Sequence, residues 1–83
     1  MVGIYKITNK KNGKVYIGQS NDVERRLKEH QQVRSVTIDD YINVLGKDNF
    51  DFEIIEECSL EELDEKEKEY IAQYNSAVNG YNT

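Results

Sequence analysis

Short apolar runs and polar clusters alternate along the first twenty residues of the chain. The runs VGIYKIT and GKVYIG are rich in β-branched and aromatic residues, and between them lies the segment NKKNG. Its Asn12-Gly13 pair supplies the positive φ angles that a tight turn requires, so this stretch predicts a β-hairpin. Further on, Phe50, Phe52 and Ile54 alternate with charged residues, which predicts a third strand.

Helical spacing marks two segments between the hairpin and the third strand. Asp22 can cap a helix that runs to about Gln31. A short apolar stripe follows and ends at Gly46, a residue type that favours helix termination. The members of that stripe are Ile38, Tyr41, Ile42 and Leu45.

The last helix is predicted from a capping box, in which Ser59 is followed three residues later by Glu62, and it runs to about Tyr74. The element order is therefore β-β-α-α-β-α. This order predicts an α+β fold, with a three-stranded antiparallel sheet flanked by about three helices. A chain of this length holds a single domain, residues 1–83.

One carboxylate of the last helix lies on its apolar side. Residues 60–74 carry six acidic side chains. At about 100° per residue, five of them fall on or beyond the edge of the apolar stripe, whereas Glu67 falls in its middle. The stripe itself consists of Leu60, Leu63, Tyr70, Ile71 and Tyr74. Glu67 either reaches water, pairs with a lysine, or lines a cleft and holds a hard cation such as Mg²⁺.

The first helix has a similar anomaly of opposite charge. Arg26 and His30 are four residues apart beside the apolar stripe, whereas Arg25 faces solvent. Taken singly, Arg26 could lay its methylenes on the core and His30 could be a structural residue. Together with Glu67 on another helix, they favour a shared cleft.

The hairpin adds Tyr5 and Tyr16, one on each strand. Strand tyrosines are ordinarily packing residues, yet a hairpin can bring two hydroxyls to one face. Two phenols, a guanidinium, an imidazole and a carboxylate suit phosphodiester hydrolysis, in which Arg clamps the phosphate and a phenol or imidazole takes a proton from water.

Composition narrows the alternatives. One His and one Cys exclude a zinc site built from these residues, and Cys58, at the end of the third strand, is expected to be packed. No Gly-rich phosphate loop is present. No apolar run approaches the ~20 residues that span a bilayer, and no leader sequence is recognisable. Residues 1–50 hold nine Lys/Arg against six Asp/Glu, whereas residues 51–83 hold two against ten, so the N-terminal half could meet an anion.

At this point the sequence resembles a known family. Gly3-Ile4-Tyr5 and Tyr16-Ile17-Gly18 resemble the two signature tripeptides of the GIY-YIG nuclease superfamily. The resemblance continues through GQSNDVERRLKEH, GKDNFDFEIIEE and LDEKEKEYIAQYNSAVNGYN and covers nearly all of the chain, apart from a poor match at residues 31–43. The chain looks most like the catalytic domains of phage and intron-type homing endonucleases.

The resemblance implies catalytic roles for five residues. Tyr5 would help to activate the attacking water, and Tyr16 would position water and substrate. Arg26 would bind phosphate, and His30 would transfer protons or contact metal-bound water. Glu67 would hold one Mg²⁺ or Mn²⁺ ion. Whether Tyr5 or His30 acts as the general base stays open.

Three further residues are implied to support the site. Gly3 and Gly18 belong to the signature tripeptides and also suit strand ends at which two backbones come close. Asn82 matches an asparagine near the family's site, and its role depends on the resemblance alone.

Taken together, these features predict a metal-dependent DNA endonuclease catalytic domain that is weakly sequence-specific and binds DNA in a salt-sensitive way. We expect an intracellular protein of bacterial or phage type, and a separate DNA-recognition domain that is missing from this chain. The alternative is a catalytically inactive or minimised module of the same fold that binds nucleic acid or a protein partner. The oligomeric state is not predicted.

Overall fold

The computed structural model describes residues 1–30 and 37–82. Within the helices, the description does not extend to the side chains of Glu29, His30, Thr37, Asp39, Asp40 and Asn43. The strands are β1 (Gly3–Asn9), β2 (Val15–Ser20) and β3 (Phe50–Glu57). The helices are α1 (Val23–His30), α2 (Thr37–Leu45), α3 (Leu63–Tyr74) and the short α4 (Ser76–Asn79).

The three strands form one sheet in the order β2-β1-β3, and both neighbouring pairs are antiparallel. The α+β class and the antiparallel sheet are confirmed. Gly13, in the turn between β1 and β2, has a φ of +74°, and the amide of Lys14 donates to Asn12 Oδ1 at 2.9 Å. The Asn-Gly pair therefore closes the hairpin as its sequence predicts.

One face of the sheet packs against α1 and α2. The cluster on this face includes two β1 residues, Tyr5 and Ile7, which are almost fully buried. The rest of the cluster comes from β3, the two helices and the C-terminal segment: Val23, Ile38, Ile42, Phe50 and Tyr81. Because strand side chains alternate between faces, every second residue of β1 contributes to this layer.

The opposite face packs against α3. Ile4 and Ile17 are fully buried there beneath Leu63, the first residue of α3. Cys58 is half-buried in this cluster, in keeping with its expected packing. The helix residues that complete the layer are Tyr70, Ile71 and Tyr74.

Leu60 does not belong to the buried stripe, and its prediction as a core residue is wrong. Its side chain is 62% exposed, because Leu60–Glu62 form a 3₁₀ turn and the α-helix begins only at Leu63. The capping box of Ser59 and Glu62 is present as predicted, but it caps that 3₁₀ turn.

Other helix ends follow their sequence signals. Asp22 Oδ1 accepts a hydrogen bond from the amide of Arg25 at 3.2 Å, which caps α1. Gly46, with a φ of +90°, ends α2. Asn75 adopts a left-handed conformation after α3 and allows the chain to turn into α4, which was not predicted. In the described part of the chain, no helix has the length and apolarity needed to cross a bilayer.

The C-terminal segment lines the outer edge of β2. The amide of Tyr81 donates to the carbonyl of Val15 at 3.0 Å. Asn9 is 1% exposed, and its Nδ2 donates to the Tyr81 hydroxyl at 3.0 Å. This buried bond ties the last residues of the chain to the central strand.

We expect the Tyr81→Phe substitution to lower the free energy of unfolding by about 1–3 kcal/mol, because it leaves a buried donor of Asn9 without its acceptor. Urea denaturation measures the loss. Tyr41→Phe is the matched control, since Tyr41 is 46% exposed and packs its ring against Tyr81. The control should change stability by less than about 0.5 kcal/mol. Equal losses in the two variants would contradict the role of the buried bond.

Candidate active site

The two tyrosines of the hairpin lie on one face of the sheet. Tyr5 is opposite Gly18 in the β1–β2 pair, and Tyr16 is opposite Ile7. Tyr5 and Tyr16 are therefore diagonal neighbours, and their ring centroids are 6.3 Å apart at an interplanar angle of 43°. The interpretation that the hairpin brings both phenols together is in agreement with this geometry.

Gly18 allows the Tyr5 ring to lie directly on β2. A Cβ atom at position 18 would overlap the hydroxyl end of that ring. Gly3 has a similar function in the neighbouring pair, because a Cβ there would overlap the carbonyl oxygen of Glu56 on β3. Both glycines thus occupy places where two parts of the chain come too close for a side chain.

Arg26 lies beside the two phenols. It is half-buried on α1, whereas Arg25 is exposed and pairs with Asp22 at 4.0 Å. Burial raises the pKa of Tyr5 above its ordinary value, the nearby Tyr16 raises it further, and the Arg26 guanidinium opposes the rise. The structure therefore brings Tyr5, Tyr16 and Arg26 together.

His30 is the last residue of α1, four residues after Arg26. Its side chain lies outside the described residues, so its place in the site stays a prediction. The poorly matching stretch 31–43 lies partly outside them as well.

Glu67 approaches the hairpin from the opposite face of the sheet. Its Oε1 accepts a hydrogen bond from Gln19 Nε2 at 3.2 Å. Gln19 follows Gly18 on β2, so its side chain points away from the Tyr5 face and towards α3. In the described part of the chain, the partner of Glu67 is this amide and not a lysine. The neighbouring lysine, Lys66, pairs with Glu56 instead.

Glu67 is thus joined to β2 through Gln19 on the α3 side of the sheet, whereas Tyr5, Tyr16 and Arg26 meet on the other side. The contacts of the described residues do not bring Glu67 to these three in the shared cleft that the sequence predicts.

Asn82 holds the backbone of β2 at the centre of the second tripeptide. Its Oδ1 accepts from the amide of Ile17, and its Nδ2 donates to the Ile17 carbonyl, both at 2.7 Å. These two bonds replace those of a missing neighbouring strand. Since Ile17 lies between Tyr16 and Gly18, these bonds hold the strand that carries both.

Gln19 and Asp64 were not predicted as site residues, although their spacing in the sequence shows which face each of them shares. Gln19 Nε2 also donates to Asp64 Oδ1 at 2.8 Å, so it contacts two carboxylates of α3. The period of two in β2 places Gln19 with Ile17 on the face that meets α3. The spacing of three places Asp64 and Glu67 on neighbouring turns of one helix face.

The oxygen atoms near Glu67 fit a hard divalent cation that keeps most of its water. Glu67 is half-buried, and its neighbour Asp64 is exposed. Mg²⁺ commonly binds through one or two carboxylates and retains several waters. Among residues 1–30 and 37–82, no group of three or more His, Cys, Asp or Glu side chains could enclose an ion. An ion at this place would therefore have one or two carboxylate ligands and would complete its shell with water.

A three-stranded sheet with two hairpin tyrosines facing an arginine on the next helix, and a glutamate on the last long helix, defines a GIY-YIG domain. Residues 1–82 match the family profile described as the GIY-YIG catalytic domain. The chain belongs to this family, and the resemblance noted in the sequence is confirmed.

Two relatives show which members of the family this chain is similar to. The chain is 36% identical over 88 residues to intron-associated endonuclease 1 of Enterobacteria phage T4; the match covers 96% of this chain and 36% of that protein. The chain therefore spans about a third of the length of this relative. Its fold is similar to the solved catalytic domain of the homing endonuclease I-TevI, with a TM-score of 0.80 and 32% identity, over 98% of this chain and 96% of the other.

A second solved structure, of a mutant of the same I-TevI catalytic domain, also matches with a TM-score of 0.80 and 32% identity. It covers 96% of this chain and 90% of the other. These similarities confirm the three-stranded α+β fold and the expected likeness to phage and intron-type catalytic domains.

We expect Gly18→Ala to destabilise the domain by about 1–3 kcal/mol, because the new methyl group overlaps the Tyr5 ring. The measurement is a double-mutant cycle by urea denaturation, with Gly18→Ala made in the unmodified chain and in a Tyr5→Ala background. Removing the ring should remove most of the cost. The same loss in both backgrounds would show that the overlap with Tyr5 is not its cause.

The raised pKa of Tyr5 predicts a specific loss of stability at high pH. A tyrosine in the unfolded chain releases its proton near pH ~10, whereas folded Tyr5 keeps it. The stabilisation is thus complete below pH ~10 and is lost as pH rises further, by up to about 1.4 kcal/mol per pH unit. Urea midpoints between pH 9 and 11 should fall less steeply for Tyr5→Phe than for the unmodified chain. Parallel pH dependences would contradict this assignment.

Proposed function

We propose that this chain is the catalytic domain of a DNA endonuclease and hydrolyses phosphodiester bonds with the help of one Mg²⁺ or Mn²⁺ ion. The observation that carries the proposal is the grouping of Tyr5, Tyr16 and Arg26 on one face of the hairpin. Its similarity to the I-TevI catalytic domain supports the same function.

Arg26 is the phosphate-binding residue in this proposal. A guanidinium presents several N–H donors in a fixed plane and forms strong charge-assisted hydrogen bonds with phosphate oxygens. Arg26 is half-buried beside the phenols, whereas Arg25 is exposed and directed towards Asp22. A phosphate held by Arg26 therefore lies next to Tyr5 and Tyr16.

Tyr5 serves as a hydrogen-bond donor rather than as a phenolate. Burial raises its pKa, so the phenol is protonated at neutral pH and can orient a water molecule or a phosphate oxygen. We assign the removal of the water proton to His30, because an imidazole titrates near neutral pH. Tyr16, 6.3 Å from Tyr5 between ring centroids, orients the same groups from the neighbouring strand.

Glu67 is the residue that would hold the divalent cation. Its carboxylate is half-buried and has an orienting partner, Gln19, which suits a ligand of fixed position. An ion bound there would supply positive charge for the oxygen that leaves the phosphorus, and it would do so from the α3 side of β2, opposite the face that carries Tyr5, Tyr16 and Arg26.

We further propose that this chain contributes little sequence selectivity and binds DNA weakly. Two of its N-terminal lysines are already paired with acids: Lys6 with Glu53 at 2.9 Å and Lys10 with Asp51 at 3.6 Å. Tight duplex binding commonly needs about six to ten phosphate contacts, and the remaining basic residues of this small chain are few. Binding should therefore be weak and should fall with added salt, although less steeply than for a protein that makes all of those contacts, because the salt dependence grows with the number of phosphates neutralised.

Nicking of supercoiled plasmid in Mg²⁺ or Mn²⁺ tests the proposal. Arg26→Ala and Glu67→Gln should each lower the rate by about 10²–10³-fold, because they remove groups that act on the charge of the transition state. The matched controls are Arg25→Ala and Glu65→Gln, which alter exposed neighbours on the same helices. The controls should cleave within about threefold of the unmodified chain after comparison at equal salt.

Two outcomes would change the proposal. Full activity in Glu67→Gln would remove the metal-binding role of this glutamate. A normally folded chain that binds no divalent ion and cleaves DNA with none would instead be a binding module of the same fold.

A further inference from the structure

We infer that Gln19 is a positioning residue, which holds the carboxylate of Glu67 in the orientation needed to bind the cation. The inference depends on the proposed function in one respect, the assignment of the ion to Glu67. The role of Gln19 itself follows from the contacts of its side chain with α3.

The amide of Gln19 contacts two carboxylates at once. Nε2 is 2.8 Å from Asp64 Oδ1 and 3.2 Å from Glu67 Oε1. Ionised carboxylates only accept hydrogen bonds, so the NH₂ end of the amide must face them. Its two hydrogens match the two acceptors, one for each carboxylate.

These bonds restrict side chains that would otherwise separate. Asp64 and Glu67 are three residues apart on one helix face, where like charges repel. A hydrogen bond to an ionised acceptor is stronger than one between neutral groups. Gln19 therefore limits the rotamers of Glu67 and keeps Oε1 directed at β2. Among the described residues no hydrogen bond engages the other oxygen, Oε2, which would be available to the ion.

The position of Gln19 also connects the carboxylate to the phenols. On β2, Gly18 supports the Tyr5 ring on one face, and Gln19 contacts Glu67 on the other. Asn82 fixes the backbone of this strand one residue earlier, at Ile17. A strand held in this way sets the position of Glu67 relative to Tyr5, although the two side chains belong to opposite faces.

The test is Mn²⁺ affinity of the folded chain without DNA, measured by electron paramagnetic resonance of the free ion. Gln19→Leu keeps the approximate size of the side chain and removes both hydrogen bonds. We expect Mn²⁺ to bind about tenfold more weakly, as is common when the partner of a metal ligand is removed. Gln19→Ala, which creates no apolar contact, should have the same effect if Gln19→Leu folds poorly.

The control is Glu65→Gln, which removes one exposed negative charge from α3 without changing the residues that Gln19 contacts. Its Mn²⁺ affinity should stay within about twofold of the unmodified chain, since exposed charges are screened. Thermal unfolding without metal is recorded for every variant. A lower melting temperature with unchanged Mn²⁺ affinity would mean that Gln19 only packs α3 on the sheet, which would overturn the inference.

Binding of the ion by Glu67 and the positioning of Glu67 by Gln19 can be overturned separately. If the unmodified chain and Glu67→Gln bind Mn²⁺ equally, the assignment of the ion to Glu67 is wrong and the inference is lost with it. If Glu67→Gln weakens binding and neither Gln19 variant does, or if a Gln19 variant binds more tightly, only the positioning role is overturned.

Discussion

The contact between the Tyr5 ring and the backbone of Gly18 is the constraint on which the rest of the site depends. It requires that β1 and β2 pair with Tyr5 opposite Gly18. A shift of one residue would move Tyr16 to the other face, because strand side chains alternate. The turn at Asn12-Gly13 sets this register locally, and the burial of Ile4, on the opposite face from Tyr5, prevents the slip. The two signature tripeptides therefore pack against each other as one unit, although they are separate in the sequence.

β2 is an edge strand, yet it carries the residues that need the most defined positions. The C-terminal segment resolves this conflict, since Tyr81 and Asn82 make the hydrogen bonds that a fourth strand would make. Asn82 makes both of its bonds with its side-chain amide, so this one residue satisfies the amide and the carbonyl of Ile17. Edge strands are otherwise prone to pair with other chains, and covering part of the edge limits that tendency. Tyr81 and Asn82 thus help to hold the strand that carries Tyr16 and Gly18.

Local signals in the sequence identified much of the fold and part of the site. Helical periodicity distinguished Arg26 from Arg25, and the structure places them half-buried and exposed, as expected. The prediction that Leu60 is buried was wrong, because helical periodicity assumes an α-helix from the cap onwards. The first turn is instead a 3₁₀ turn. Asn82 has no signal in the local pattern, because its partner Ile17 lies 65 residues away in sequence. The period of two in β2 places Gln19 on the α3 face, but it does not reveal the contact with Glu67, which lies 48 residues away. No local propensity encodes such contacts, and only the packing of β2 brings them about.

The two faces of the sheet carry different ionisable groups, and this separation helps so small a domain to hold them. Among the described residues, the face with Tyr5 carries the phenols of Tyr5 and Tyr16 and the guanidinium of Arg26, and burial keeps the phenol of Tyr5 protonated by raising its pKa. The carboxylates are on the α3 side, where Glu67 is only half-buried and Asp64 is exposed. Full burial of either acid without a partner would cost several kcal/mol, a large fraction of the stability of a domain this size. For the cation site that we propose at Glu67, an open carboxylate is therefore less costly than a closed cage, and it would leave room for the water that the ion retains.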